Sequence, residues 1–115
     1  MPRSIRQTVL AAALALARQL GRAAVPYVML CGGEPTLVPH FFAVAETLGE
    51  AGIQLKIETN GQDFGPAAAE RLARLPIRSI QISLDGADRA TNDAVRGDGS
   101  WDMAITAMDN LRDAA

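Results

Sequence analysis

At 115 residues and 49% apolar content, the chain is long enough to bury the core of one domain. Its formal net charge of −2 and its scattered cations, ten arginines and one lysine, exclude a basic stripe for nucleic acid. The single cysteine, Cys31, excludes an internal disulfide and any metal site built from three or four thiolates of this chain, and it suits the reducing cytoplasm.

The N-terminal stretch admits two readings. Arg3 and Arg6 precede an apolar run from Val9 to Ala17, with Ala13, Ala15 and Ala17 at alternate positions, which loosely matches a secretory signal. Helical spacing favours the other reading, an amphipathic helix whose core stripe is Ile5, Val9, Ala12, Leu16 and Leu20. Arg18 and Arg22 sit where cations oppose the helix dipole, and Gly21 is expected to end the helix. No run reaches the ~18 continuous apolar residues of a membrane span.

A strand follows from about Pro26 to Cys31, then a helix over Val38–Ala51 ending at Gly52. "IQLKIET" reads as a second strand closed by Asn60-Gly61. Pro66 opens a helix to Leu75, and Pro76 stops it. "IRSIQISLDG" is a third strand ending at Asp85-Gly86, followed by a short helix over Asp88–Val95. After Gly97 and Gly99, Ser100 is expected to cap a last helix to about Arg112. The order is α-β-α-β-α-β-α, so the strands should be parallel.

Parallel strands covered on both faces read as continuous apolar runs. Two of these strands alternate instead. Ile53, Leu55, Ile57 and Thr59 share one face, and Gln54, Lys56, Glu58 and Asn60 the other. Ile80, Ile82 and Leu84 oppose Ser79, Gln81, Ser83 and Asp85. One face packs on helices; the other must meet water, a ligand or another part of a larger protein. That pattern suits α/β architecture of the open or partial barrel kind, with its site at the C-terminal strand ends.

At those ends stand "CGGEP", "ETNG" and "SLDG". Gly32 and Gly33 let a ligand approach the bare backbone, Glu34 offers a carboxylate to an ammonium group, and Pro35 stiffens the exit. Ser83 and Asp85 suit the hydroxyls of a ribose, and the guanidinium fork of Arg96 suits a carboxylate. Together these groups fit an amino acid joined to a nucleoside. The plainer alternatives are a strand-to-helix turn at "CGGEP", strand termination and helix capping at Ser83 and Asp85, and a solvated helix-end cation at Arg96.

In their order and spacing, "GGEP", "TNG", and "SLDG" followed by "DAVRG" resemble the radical S-adenosylmethionine superfamily, in its peptide-modifying and cofactor-maturing branch. The resemblance runs from about Val28 to Leu111. It implies a (β/α)6-type partial TIM barrel, of which about three strands stand here, and reductive cleavage of S-adenosylmethionine to a 5′-deoxyadenosyl radical. It implies that Gly32, Gly33 and Glu34 hold the methionine ammonium, that Ser83 and Asp85 lie near the ribose and carboxylate, that Arg96 reaches the carboxylate, and that Asn60 faces the same cavity. The family's cofactors are S-adenosylmethionine and a 4Fe–4S cluster held by three cysteines spaced C-x3-C-x2-C. That segment is not in this chain, so residues 1–115 are expected to form a single partial core domain without the cluster-binding unit or the last β/α units, inactive alone. In the full-length enzyme the implied substrate is a peptide or small molecule; neither nucleic acid nor membrane is an expected partner.

Two rival expectations remain. One is a non-catalytic barrel half completed by a partner chain or by self-association through open sheet edges; the other is an unrelated flavodoxin-like nucleotide-binding domain. Among single residues, Cys31 is read as a small buried hydrophobe, His40 as a capping or surface residue, Trp101 as a core anchor, and Lys56 with Glu58 as a pair on the cavity floor.

Overall fold

The computed structural model describes residues 4–31, 34–62 and 64–115. The described residues form α1 (Ile5–Arg22), β1 (Tyr27–Leu30), a 3-10 turn (Pro35–Leu37), α2 (Phe41–Glu50), β2 (Gln54–Thr59), α3 (Pro66–Ala73), β3 (Ile77–Ile82), α4 (Arg89–Arg96) and α5 (Ser100–Ala114). The strands are parallel in the order β1-β2-β3.

Partners in a parallel register point to the same face, so the register decides which side chains meet the helices. Val28 and Leu30 pair with Leu55 and Ile57; Leu55, Ile57 and Thr59 pair with Ile77, Ile80 and Ile82. Ile77 and Ile80 are three residues apart, and strict alternation would send them to opposite faces. A register shift, where Leu55 pairs with Ile77 but Lys56 with Ser79, absorbs Arg78 as an extra residue and keeps both isoleucines on the helix side.

The helix side is closed by two clusters. Ala17 of α1 and Ala45 and Leu48 of α2 pack with Ile53 and Leu55. Phe41 of α2, Leu72 of α3 and Ala107 of α5 pack with Ile57 and Phe64. Leu48, Leu55, Ile57 and Leu72 are fully buried, each stabilising the fold by roughly 1.5–3 kcal/mol.

No described helix covers the opposite face. Tyr27 and Met29 of β1 are 44% and 47% exposed there. Lys56 does not pair with Glu58: its ammonium lies 4.3 Å from the centre of the Tyr27 ring, with the Arg78 guanidinium 5.4 Å away. Cys31, two residues beyond Met29, is exposed rather than packed, because the core it was expected to join lies on the other side of the sheet. The radius of gyration of 15.6 Å exceeds the about 13 Å of a compact domain this long, and the thin axis of 22 Å is one sheet plus one helix layer. A flavodoxin-like domain covers both sheet faces, so that expectation is overturned; a segment of a β/α barrel fits.

Helix α1 departs from its expected orientation. Ser4 and Gln7 form a reciprocal capping box at its start, and it continues through Gly21 to Arg22. Gly21 is a contact residue rather than a terminator: a Cβ there would lie 2.6 Å from Ala51 Cβ at the end of α2. The helix turns its alanine-rich side, centred on Ala17, to the core, while Ile5, Val9 and Leu16 are 84%, 47% and 55% exposed. At 3.6 residues per turn the two stripes lie roughly 100° apart, and only the small side chains allow the close approach to α2. No helix among the described residues is long and apolar enough to cross a membrane.

Candidate functional site

The strand ends are arranged by what each sequence motif can bond. Thr59, last in β2, falls on the apolar face and is 3% exposed, so its hydroxyl needs a buried partner. It donates to Glu34 Oε1 at 2.5 Å and accepts from the Gly61 amide at 3.1 Å. Glu34 Oε1 also accepts from the Thr36 hydroxyl at 2.8 Å and the Thr36 amide at 3.4 Å, while Glu34 Oε2 accepts from the Asn60 amide at 2.7 Å. The Thr36 hydroxyl lies 3.1 Å from the Gln62 carbonyl as well. One carboxylate therefore ties the segment after β1 to the end of β2. Asn60 Oδ1 accepts from the Gln62 amide at 3.0 Å, which fixes the turn after β2.

Gly61 has φ of +91°, and a Cβ there would lie 3.1 Å from the Met103 carbonyl and 3.2 Å from Ala104 Cα. The glycine of "TNG" thus seats the turn against α5. Gly86 does the same at the next strand end: its Cβ would lie 2.4 Å from the Asn92 nitrogen of α4. With the helices this close, the end of β3 is fastened to them. The Ser83 amide donates to the Thr59 carbonyl at 2.9 Å, and the Asp85 amide to Asn92 Oδ1 at 2.7 Å. Arg96, one turn along α4 from Asn92, meets the Asp85 carboxylate at 2.5 Å in a partly exposed ion pair.

Asn60, Asp85 and Arg96 come together with Gln62, Ser100 and Met103 around a cleft of 280 Å³ at the C-terminal strand ends. Glu34 joins them through the Asn60 backbone. Ser83 stands beside the cleft without lining it, and Gly32 and Gly33 lie outside the described residues. A groove of 560 Å³ between α2 and α3, crossed by the Arg71–Glu46 ion pair, contains none of the strand-end residues.

The junction of α4 and α5 supports this wall. Asp93 accepts from the Ser100 hydroxyl and the Trp101 amide, both at 2.9 Å, and from the Gly99 amide at 3.1 Å. The Trp101 amide, then those of Gly99 and the Ser100 hydroxyl, hold the Asp93 carboxyl below its ordinary pKa. The Thr91 amide does the same for Asp88, which caps α4. Ser100 was expected to cap α5; it is instead the first helical residue, and Asp93 satisfies the free amides. His40 takes the cap position of α2 without a capping bond, and its Nδ1 is buried without a partner.

The donor set tests the family's two cofactors differently. Among the described residues no three His, Cys, Asp or Glu side chains are placed to hold a metal ion. With one cysteine in the whole chain, the about three protein thiolates of a 4Fe–4S cluster are not available. The cleft's guanidinium, carboxylate and two side-chain amides, of Arg96, Asp85, Asn60 and Gln62, are of the kind that an amino acid and a sugar call for.

The Radical SAM superfamily model matches residues 1–115, and the chain belongs to that superfamily, whose cofactors are S-adenosylmethionine and a 4Fe–4S cluster. It is 44% identical over 93 residues to the mycofactocin maturase MftC of Mycobacterium tuberculosis (strain CDC 1551 / Oshkosh), covering 81% of this chain and 24% of that protein. It is 37% identical over 90 residues to the pre-heme d1 synthase of Dinoroseobacter shibae, covering 77% and 22%. It is 32% identical over 90 residues to the AdoMet-dependent heme synthase of Methanosarcina barkeri, covering 77% and 26%. The chain thus spans about a quarter of the length of these relatives.

Proposed function

We propose that the strand-end cleft binds the methionine and ribose parts of S-adenosylmethionine, through Gly32, Gly33, Glu34, Asn60, Ser83, Asp85 and Arg96. The observation that carries this reading is the convergence of Asn60, Asp85 and Arg96 on one cleft. Its 280 Å³ is just below the ~300–1,000 Å³ of ligand pockets, so part of such a ligand fits. Arg96 takes the ligand's carboxylate in exchange for Asp85, a replacement that costs little because a partly exposed ion pair is worth about 0–1 kcal/mol. Asp85, released, accepts from the ribose hydroxyls with Ser83. Glu34 keeps the segment after β1 in place, with Oε2 still open to an ammonium donor beside the Asn60 amide.

When bound, S-adenosylmethionine is the family's radical source on reductive cleavage. This chain alone performs no such chemistry in our reading, since it supplies one thiolate. A maturase-type substrate, peptide or small molecule, belongs to the same proposal, supported by the similarity to the mycofactocin maturase; so does a cytoplasmic setting, supported by the single cysteine. Calorimetric titration tests the binding claim: S-adenosylmethionine should bind in preference to ATP, and equal or absent heats would overturn it. Anaerobic reconstitution with iron and sulfide should give neither cluster absorbance nor 5′-deoxyadenosine.

A second reading, that the chain is a barrel segment completed by further β/α units of a partner chain, is favoured by the uncovered sheet face and by exposed Ile5, Val9 and Leu16. Co-expression with a fragment carrying the three-cysteine segment should yield a co-purifying complex; separate elution of the two would count against it.

A further inference from the structure

We infer that Asn92 is a positioning residue for Asp85, and that its amide sets the cleft's affinity for the nucleoside half of the ligand. The inference rests on the proposed binding of S-adenosylmethionine.

Asn92 is 0% exposed in a helix whose other residues are half-buried or exposed. Full burial of an uncharged amide requires that its donors and acceptor be matched. Its Oδ1 accepts from the Asp85 amide at 2.7 Å, and its Nδ2 donates to Ser100 Oγ at 2.9 Å. Ser100 in turn donates to Asp93, so the direction of the chain is fixed: Ser100 can only accept from Asn92, and Asn92 can only present oxygen to Asp85. The side chain cannot flip without leaving two buried polar groups mismatched.

The consequence for the site is geometric. Asn92 and Arg96 stand four residues apart on one side of α4, and both hold Asp85, one by its amide and the other by its carboxylate. If a ligand carboxylate draws Arg96 away, the Asn92 bond is the side-chain contact that still fixes where Asp85 stands. Gly86 makes this possible, because any side chain there would push the turn off the Asn92 backbone.

The test uses the 115-residue chain and two variants. Asn92→Ala removes the acceptor; Asn92→Asp keeps an oxygen for the Asp85 amide while losing the donor to Ser100. Two ligands separate the halves: 5′-methylthioadenosine for the nucleoside and methionine for the amino acid. In Asn92→Ala the Asp85 amide should exchange with solvent about tenfold faster, and 5′-methylthioadenosine should bind about tenfold more weakly with methionine unchanged. In Asn92→Asp both amide protection and nucleoside affinity should stay within about threefold of the original, although its melting temperature falls. A purely structural role would weaken both ligands together and track melting temperature, which overturns the inference. Unchanged Asp85 exchange in Asn92→Ala also overturns it, whatever the affinities. If the unsubstituted chain binds neither ligand, the proposed function fails and takes the affinity half of the inference with it, while the Asp85 exchange data still decide whether Asn92 positions Asp85.

Discussion

A carboxylate stands at the end of β2 and another at the end of β3, and the fold uses them in opposite ways. Glu34, beside the end of β2, accepts from Thr36 and Thr59 at Oε1 and from the Asn60 amide at Oε2, so most of its acceptor capacity is spent on the fold. Asp85, after β3, has a carboxylate that among the described residues meets Arg96 alone, and that pair is open to solvent at 30% and 48% of its side-chain surfaces. The fold holds Asp85 by its backbone and leaves its side chain exchangeable. A site assembled this way weights its acids differently: Glu34 fixes the frame and keeps only Oε2 for a ligand, and Asp85 has its whole side chain exchangeable.

The sharpest way to break that comparison is Glu34→Ala. It strands a buried Thr59 hydroxyl and the Asn60 amide, each of which gave a hydrogen bond to a charged acceptor, and should cost about 3 kcal/mol. Urea unfolding measures this directly. A loss no larger than that of Arg96→Ala would mean that Glu34 is not structural and that the two strand ends are equivalent. Gly86→Ala should follow, at about 1–3 kcal/mol, because the new Cβ meets the Asn92 backbone at 2.4 Å and a backbone atom cannot swing aside. Wild-type stability in Gly86→Ala would show that α4 yields, and with it the fixed position of Asp85.

Arg96→Ala sharpens the other half. A partly exposed pair should contribute under about 1 kcal/mol to folding, so melting should change little. Loss of the guanidinium should nevertheless weaken S-adenosylmethionine about tenfold, with 5′-methylthioadenosine affected less. Equal weakening of both ligands would move Arg96 away from the carboxylate.

The sequence carried the frame of this arrangement more openly than its fastenings. Alternation in "IQLKIET" and from Ile80 onward announced a sheet with one uncovered face, because period two is a direct consequence of strand geometry. The strand-end motifs were legible for the same reason: glycine and a polar residue after an apolar run have few other uses. Thr59 had a signal too, a hydroxyl on a core face, which called for a buried acceptor. Asn92 had none, since a polar residue in a short polar helix reads as solvated until the neighbouring turn is known to touch it. Helix α1 misled because two of its stripes are apolar, and hydrophobicity alone cannot rank them; the need of Gly21 and Ala17 for a close approach to α2 decides. Arg78 is likewise invisible as a bulge until its two flanking pairings are seen.

The smallest expected effect concerns pH, and it bears on the frame behind β3. Asp93 accepts from the start of α5, principally from the Trp101 amide, and its folded-state pKa is therefore lowered. A group with a depressed folded pKa contributes stability above its unfolded value, and that contribution disappears as pH falls through the folded one. The support that Asp93 gives the α4–α5 junction should thus be complete at pH 7 and decline only below about pH 4, where free carboxyls protonate. Asp88 titrates in the same direction through the Thr91 amide, so the pH profile of the chain alone cannot separate them. The difference between the chain and Asp93→Asn does: unfolding free energies should differ at pH 7 and converge toward pH 3. A constant difference across that range would mean that Asp93 works by its shape rather than its charge.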